Sequence, residues 1–327
     1  MTKLLITGGA GFVGSHTVEE ALKRGYDILI IDNLSTGSLE NLSGIVDNER
    51  VELARIDIRL REKLEEAVKG IDSVIHLAAI VSVEEALARP REAVEVNVLG
   101  TLNVLEIARR LDVEKLVYAS SVAVYGEPKS LPIAEDHLRD PANLYGCTKL
   151  AGELLVESYS RDYGLRSVVL RYFNVYGPRM KRGPYAGAVY KFMEAALLGR
   201  SPVIYGDGEQ TRDFVYVEDV AKANLDALES SATGVFNVGT GRATKIIELC
   251  NLILELVGRA DISPVYTSPR PGDVKQSMAD ITRIMRELKW RPRVELREGL
   301  ERTLEWMRKR LKSLPNSSPT EMGKRIG

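Results

Sequence analysis

Cysteine, histidine and net charge are all scarce in this chain. Its 327 residues include two cysteines, Cys147 and Cys250, and three histidines, His16, His76 and His137. Two cysteines cannot build a disulfide framework, and no C-x-x-C or H-x-x-x-H spacing offers zinc ligands, so no metal is expected. Cys147 reads as a packing residue and His76, inside an apolar run, as a satisfied core histidine. Lys and Arg number 45 against 46 Asp and Glu, a formal charge of −1. That balance lacks the basic excess that neutralises phosphates, which argues against a nucleic-acid partner. No apolar run approaches the roughly 20 residues that span a bilayer. The first, Leu4 to Ile6, gives way at once to Gly8 and Gly9, so neither a signal peptide nor a membrane anchor is expected, and a cytoplasmic location is. Glutamine is limited to Gln210 and Gln276 while charged residues make up 28%, a composition that suits the ion-pair networks of heat-stable proteins.

What is present is β-α alternation. Lys3–Thr7, Ile28–Asp32, Val51–Asp57, Ser73–Ala78, Lys115–Ser121 and Ser167–Tyr172 are Val/Ile-rich runs of the kind buried on both faces of a sheet. Between them lie helical periods at Val13–Arg24, Glu92–Arg110 and Tyr145–Tyr163. The pattern predicts an α/β, doubly wound parallel sheet of the Rossmann type, with ligands at the carboxyl ends of the strands. The later chain is less regular, with helices near Ala186–Leu198, Val217–Ser230, Lys245–Val257, Ile281–Leu288 and Leu296–Leu311. It reads as a smaller, partly discontinuous α/β substrate-binding lobe. The expected division is 1–172 plus about 212–243 for the cofactor domain and 173–211 plus about 244–311 for the lobe. The Pro/Ser-rich 312–327 is expected to be a disordered tail.

Lys3–Thr7 runs into Gly8-Gly-Ala-Gly11-Phe-Val-Gly14 and then a helix. Glycines at 8, 11 and 14 permit a tight turn and close approach of a pyrophosphate to a helix N-terminus with free N–H groups. Asp32 lies 18 residues beyond Gly14, at a strand end where a carboxylate can accept from a ribose 2′-OH. Asp32 would repel a 2′-phosphate, and Asn33 and Leu34 bring no compensating charge, so NAD is favoured over NADP. Asp57 and Ile58 are candidates for the adenine.

Tyr-x-x-x-Lys occurs twice, at Tyr125/Lys129 and Tyr145/Lys149. Pro128 opposes a helix in the first pair. The second opens a helical segment, which puts both side chains on one face. Bringing a phenol from about 10 to about 7 needs roughly 4 kcal/mol of phenolate stabilisation. One positive charge at about 6 Å and an effective dielectric of about 20 supplies about 3 kcal/mol. Lys149 with an oxidised nicotinamide could thus make Tyr145 a base toward a substrate hydroxyl while hydride leaves the same carbon. Ser121, at a strand end, is placed to hydrogen-bond that oxygen.

Taken together, the glycine loop, DNLSTG from Asp32, HLAA from His76, Asn97, Ser120-Ser121, YGCTK from Tyr145 and RYFNVYGPR from Arg171 resemble the extended short-chain dehydrogenases/reductases. Within them the combination is most similar to the UDP-glucose (UDP-galactose) 4-epimerase group, over roughly residues 2–310. The resemblance implies bound NAD that accepts hydride from sugar C4 and returns it through a 4-keto intermediate. Tyr145 would be the base, Lys149 its tuning cation and Ser121 its assistant. It further implies cofactor contacts from Phe12, Val13, Asn33, Ser35, Thr36, Gly37, Leu77, Ala78, Ala79, Asn97, Ser120 and Tyr172. Related dehydratases and decarboxylases carry an acid two positions after the catalytic Ser/Thr; here Ala123 stands there, which favours simple epimerisation.

The same resemblance implies that Arg212 and Arg270 clamp a UDP pyrophosphate, whose oxygens match guanidinium forks. Asn174 would assist, Asp273 would contact the uridine ribose, and Val203 and Tyr205 would frame the uracil. Ser277 matches a position beside the sugar where a small residue leaves room for a 2-N-acetyl group, implying UDP-GlcNAc/UDP-GalNAc as further substrates. The rival readings are a UDP-glucuronate/UDP-galacturonate 4-epimerase, a UDP-glucuronate decarboxylase and a non-catalytic NAD-sensing protein. The first needs a cation near sugar C6, for which Arg179 and Lys181 are candidates; the last would not need Tyr145 and Lys149. The helical segments Glu92–Arg110 and Tyr145–Tyr163 are expected, again by resemblance, to pair in a homodimer.

Overall fold

The computed structural model describes residues 2–180, 182–183, 186–270 and 272–313. Six parallel strands follow the six apolar runs: β1 (Lys3–Thr7), β2 (Asp27–Ile31), β3 (Val51–Ala54), β4 (Ser73–His76), β5 (Lys115–Ser121) and β6 (Ser167–Tyr172). Their side chains alternate between two cores. Leu4, Ile6, Ile28 and Ile30 pack under α1 (Phe12–Lys23), while Leu5, Leu29 and Ile31 pack with Val104, Leu105 and Val156 on the other face. Helices on both faces bury the sheet completely, which is why these strands read as continuous apolar runs.

Three expectations are corrected. β3 ends at Ala54, short of Asp57, because the chain turns there: Leu60 N–H donates to Asp57 O, and the Asp57 carboxylate accepts from Arg59 N–H. The long helix over Glu92–Arg110 is three pieces, α4 (Pro90–Val94), a wide π turn (Glu95–Gly100) and α5 (Thr101–Arg110), the first two preceded by short α2 (Arg61–Ala67) and α3 (Val83–Ala88). At its end Gly100 lies against Ile58, where an added Cβ would come within 2.5 Å of Cδ1. A seventh parallel strand also joins the sheet. After α6 (Leu144–Tyr163) and α8 (Val217–Glu229), Gly234–Val238 pairs with β6, giving the order 234–238, β6, β5, β4, β1, β2, β3.

The other strands stay outside this sheet as pairs. In chain order they are β7 (Asn174–Tyr176), β8 (Val203–Tyr205), β9 (Thr211–Arg212), β10 (Phe214–Tyr216), β12 (Thr244–Lys245) and β13 (Val265–Thr267), Gly234–Val238 being β11. β7 pairs with β10, β9 with β12, and β8 with β13. Together with α7 (Ala188–Leu197), α9 (Ile246–Val257) and α11 (Leu296–Ser313) they enclose a core of their own around Phe192, Met193, Leu249 and Leu300, while α10 (Thr282–Glu287) places Ile284 in the core of the main sheet. The expected tail starts within the last turn of α11, and its remainder from 314 lies outside the described residues, as do Lys181, Tyr185 and Pro271. Cys147 is exposed on α6, so it does not pack within the chain; Cys250 is buried.

Candidate active site

The carboxyl ends of β1, β4, β5 and β6 open into one cavity of about 520 Å³. At its floor Gly8 takes φ +74°, and a Cβ there would stand 2.7 Å from Ala78 N; a Cβ on Gly14 would stand 2.0 Å from Gly8 O. The loop is therefore a cradle that only glycine can form. Helix α1 starts from Gly11 with no side-chain cap, leaving its first N–H groups for an anion. Asp32 is buried behind the loop and accepts from Ala10 N–H at 3.0 Å and Leu34 N–H at 2.8 Å. Burial pushes its carboxyl up against those two hydrogen bonds. A glycine cradle, an uncapped helix start and a fixed carboxylate are what an NAD diphosphate and ribose require.

Phe12, Val13, Asn33, Ser35, Thr36, Asp57, Ile58, Leu77, Ala78, Ala79, Ser120 and Tyr172 line the same cavity with Gly8, Gly11, Gly14 and Asp32. The Asp57 carboxyl is pulled down to about 2, chiefly by Arg59, which forks onto it at 3.0 and 2.8 Å; Asn33 donates to it at 2.8 Å. Two expected cofactor residues stand elsewhere. Gly37 backs onto Ala10. Asn97 is buried in the π turn, and its amide is spent inside the protein: Ile80 N–H donates to Oδ1, and Nδ2 donates to Ile80 O and Thr148 Oγ1. It fixes the loop after β4 to the helix that carries Tyr145 and Lys149.

That helix, α6, begins where Asn143 accepts from Gly146 N–H and ends at left-handed Gly164. Tyr145, Lys149 and Ser121 all reach the cavity wall, beside Val122 and Ala123. Burial pushes the Tyr145 phenol up, and a hydrogen bond with Ser121 opposes that. Burial brings Lys149 down to about 8, with Glu153 opposing, and its Nζ lies 4.9 Å over the Tyr118 ring. Burial thus disfavours the Tyr145 phenolate, which a hydrogen bond and nearby positive charge favour. Tyr125, of the rival pair, is buried and donates to Asn237, outside any α-helix. His76 is a core residue between Thr7 and Thr101.

The expected substrate residues form small groups. Asn174 lines the cavity, and its buried Oδ1 has no partner among the described residues. Arg212 donates to Asp273 at 2.5 Å; Arg270 donates to Glu84 at 2.7 Å and lies 4.0 Å over the Tyr205 ring. Val203 is exposed beside Tyr205 on β8. Ser277 is buried, with its N–H on Thr211 Oγ1 and its hydroxyl unpartnered among the described residues. None of these except Asn174 belongs to the cavity wall.

Arg179, named from the sequence only as a candidate cation, lines the cavity in left-handed backbone at φ +68° and donates to Glu19 on α1. Sequence reasoning missed two site features. Asp213 is fully buried and accepts from Thr240, Gly241 and Ala279, tying Arg212 to the segment of Ser277. Glu153 and Arg171 pair inside the protein; the i+4 spacing of Glu153 from Lys149 was the signal that could have found it. Among the described residues no group of three metal-ligating side chains occurs, and no helix is long and apolar enough to cross a membrane.

Residues 4–239 match the NAD dependent epimerase/dehydratase family. The crystal structure of UDP-glucose 4-epimerase from Thermotoga maritima, with UDP-glucose, is 41% identical with a TM-score of 0.90, covering 95% of this chain and 100% of that one. UDP-N-acetylglucosamine 4-epimerase from Methanobrevibacter ruminantium, in complex with UDP-N-acetylmuramic acid, is 38% identical with a TM-score of 0.90, over 94% and 99%. The UDP-glucuronate 4-epimerase of Thermodesulfobacterium geofontis is 34% identical over 316 residues, 94% of this chain and 96% of that protein.

Proposed function

The chain belongs to the NAD dependent epimerase/dehydratase family and is an NAD-dependent enzyme of nucleotide sugars; from that premise we propose that it is a UDP-glucose 4-epimerase that also turns over UDP-N-acetylhexosamines. The observation that carries the reading is the wall formed by Ser121, Tyr145 and Lys149 above the glycine cradle, with Ala123 in place of an acid. Bound NAD supplies a two-electron acceptor and donor. Tyr145 removes the proton from the sugar 4-hydroxyl as C4 loses hydride, and gives it back to O4 once the ketone is reduced on its other face. Ser121 holds O4, and Lys149 favours the phenolate. No external oxidant is consumed.

Arg212 and Arg270 are assigned to the UDP diphosphate, with Asn174, Asp273, Val203, Tyr205 and Ser277 completing the site, in the two-lobe division given above. The uronate reading stands second: of the cavity arginines, Arg89 would have to leave Glu85 and Glu92, while Arg179 is bound to Glu19 through Nη2 and keeps Nη1 without a partner among the described residues. An elimination or decarboxylation reading lacks an acid at 123, and a sensor would have no use for Tyr145 and Lys149. A homodimer is favoured by Val94, Leu99 and Leu154, which stand exposed on the segments expected to pair; sedimentation tests it. A cytoplasmic role in galactose metabolism and a heat-stable body complete the proposal; Arg24, shared by Glu20, Asp226 and Glu229, is the kind of network the latter needs.

The test is incubation of purified protein, without added NAD, with UDP-galactose, UDP-GlcNAc and UDP-galacturonate, followed by NMR of the sugar signals. Epimerisation of the first two at C4, to UDP-glucose and UDP-GalNAc respectively, is expected. Turnover of UDP-galacturonate alone would reverse the assignment, and full activity after Tyr145→Phe would remove its mechanism.

A further inference from the structure

Glu153 is fully buried, and so is the arginine that faces it. Arg171 Nε and Nη2 fork onto its two oxygens at 2.8 and 2.7 Å, and Ser120 Oγ donates to it at 2.5 Å. Through Nη1, Arg171 continues to Tyr125 OH at 2.8 Å and Glu135 O at 2.9 Å. Glu153 stands one turn after Lys149 and two turns after Tyr145 on α6; Ser120 precedes Ser121 on β5; Arg171 lies on β6, three residues before Asn174. One carboxylate therefore ties α6 and β5, which carry Tyr145, Lys149 and Ser121, to β6, which leads to Asn174.

We propose that the Glu153–Arg171 pair is a positioning device for the Tyr145–Lys149 pair, which sets both its place against Ser121 and the charge it feels. The inference rests on the reading of Tyr145 and Lys149 as the proton-transfer pair. A buried ion pair is not needed for stability, since apolar replacements of similar volume are often as stable, so its presence here calls for another role. Lys149 is surrounded by Tyr145 and Glu153 on its own helix, Tyr118 on β5 and His76 on β4. Glu153 is faced in turn by Arg171 on β6, Ser120 on β5 and Arg139, at 3.5 Å, from the loop before α6. Of these neighbours Glu153 supplies the negative charge that favours a protonated Lys149, and Arg171 offsets it.

Opposite charges predict opposite displacements. Glu153→Gln removes a negative charge, so the pH profile of kcat moves to lower pH by about one unit; Arg171→Gln leaves Glu153 with only Arg139, at 3.5 Å, to offset it and moves the profile up by about as much. Glu153→Asp and Arg171→Lys keep the charges and hold the profile in place, and KM for the UDP-sugar stays within about threefold in all four. Because either glutamine variant strands a buried charge and can fail to fold, the double variant Glu153→Met/Arg171→Met is measured beside them. It is expected to melt cooperatively, with kcat at least about tenfold lower and KM within about threefold. Displacement of both folded single variants in the same direction, or none, overturns the inference, as does wild-type kcat in the folded double variant. Tyr145→Phe separates the two failures: if it abolishes turnover while the charge variants change nothing, only this inference falls.

Discussion

Arg270, after β13, donates to the Glu84 carboxylate on α3 at 2.7 Å, so the segment expected to hold the diphosphate is tied to the Rossmann side of the cavity. Both side chains are more than a third exposed, at 37% and 42%, and such pairs are worth about 0–1 kcal/mol. A diphosphate would compete with Glu84 for the same guanidinium. Glu84→Gln is therefore expected to tighten UDP binding by about twofold to fivefold at low ionic strength, with the gain shrinking as salt is added. Titration calorimetry with UDP checks this; unchanged affinity at low salt would mean that Arg270 does not leave Glu84 for the ligand.

Gly14 lies in the first turn of α1, where alanine would ordinarily favour the helix by about 1 kcal/mol. Here its Cβ would stand 2.0 Å from the Gly8 carbonyl oxygen, so the cradle must open. Gly14→Ala is expected to destabilise the protein by about 1–3 kcal/mol and to lose NAD on gel filtration. Thermal melting and the NAD released by acid measure both effects, and retention of stoichiometric NAD would refute the steric account.

The sheet and the cradle were legible because their physics is local. Strands buried on both faces must be apolar throughout, and a loop with a Gly8–Ala78 approach admits only glycine. β11 was not legible: Gly234–Val238 interrupts its apolar residues with Gly234 and Asn237 and gains its place from pairing with β6, a contact between distant parts of the chain. The π turn escaped for a similar reason, since Asn97 faces inward to meet Ile80 and Thr148, both remote in sequence. In the substrate region sequence supplied residue types, but partners such as Glu84 for Arg270 and Asp213 for the Ser277 segment depend on tertiary placement.

Two buried histidines give stability a specific pH dependence. Burial lowers His16 from 6.5 to about 4 and His76 from 6.5 to about 3, with Arg179 and Lys149 adding to the respective effects. Below pH 6.5 the unfolded chain takes up a proton at each site and the native protein does not, so stability falls with pH. The loss approaches about 1.4 kcal/mol per pH unit for each histidine. It continues down to about pH 4 for His16 and about pH 3 for His76. Urea melts at pH 7, 6 and 5 should show the decline, and His76→Asn should flatten the slope by about half whatever its effect on absolute stability. A slope unchanged by that substitution would place a proton on native His76.

Ser277, to which the choice of sugar is assigned above, is 3% exposed with its N–H on Thr211 and its hydroxyl unpartnered among the described residues. Its segment is held by Asp213, whose carboxylate accepts from Ala279 N–H at 3.1 Å, so the backbone there is braced and a larger side chain must take space from its surroundings. If that space is the one assigned to a 2-N-acetyl group, Ser277→Tyr removes the room for N-acetylhexosamines and spares hexoses. The expected result is a fall in kcat/KM for UDP-GlcNAc at least about tenfold greater than for UDP-glucose, which corresponds to about 1.4 kcal/mol of discrimination. Coupled assays on both sugars with one enzyme preparation make the comparison independent of folded fraction. Equal losses on the two substrates would show that position 277 acts through packing on Thr211 and leaves the choice of sugar to other residues.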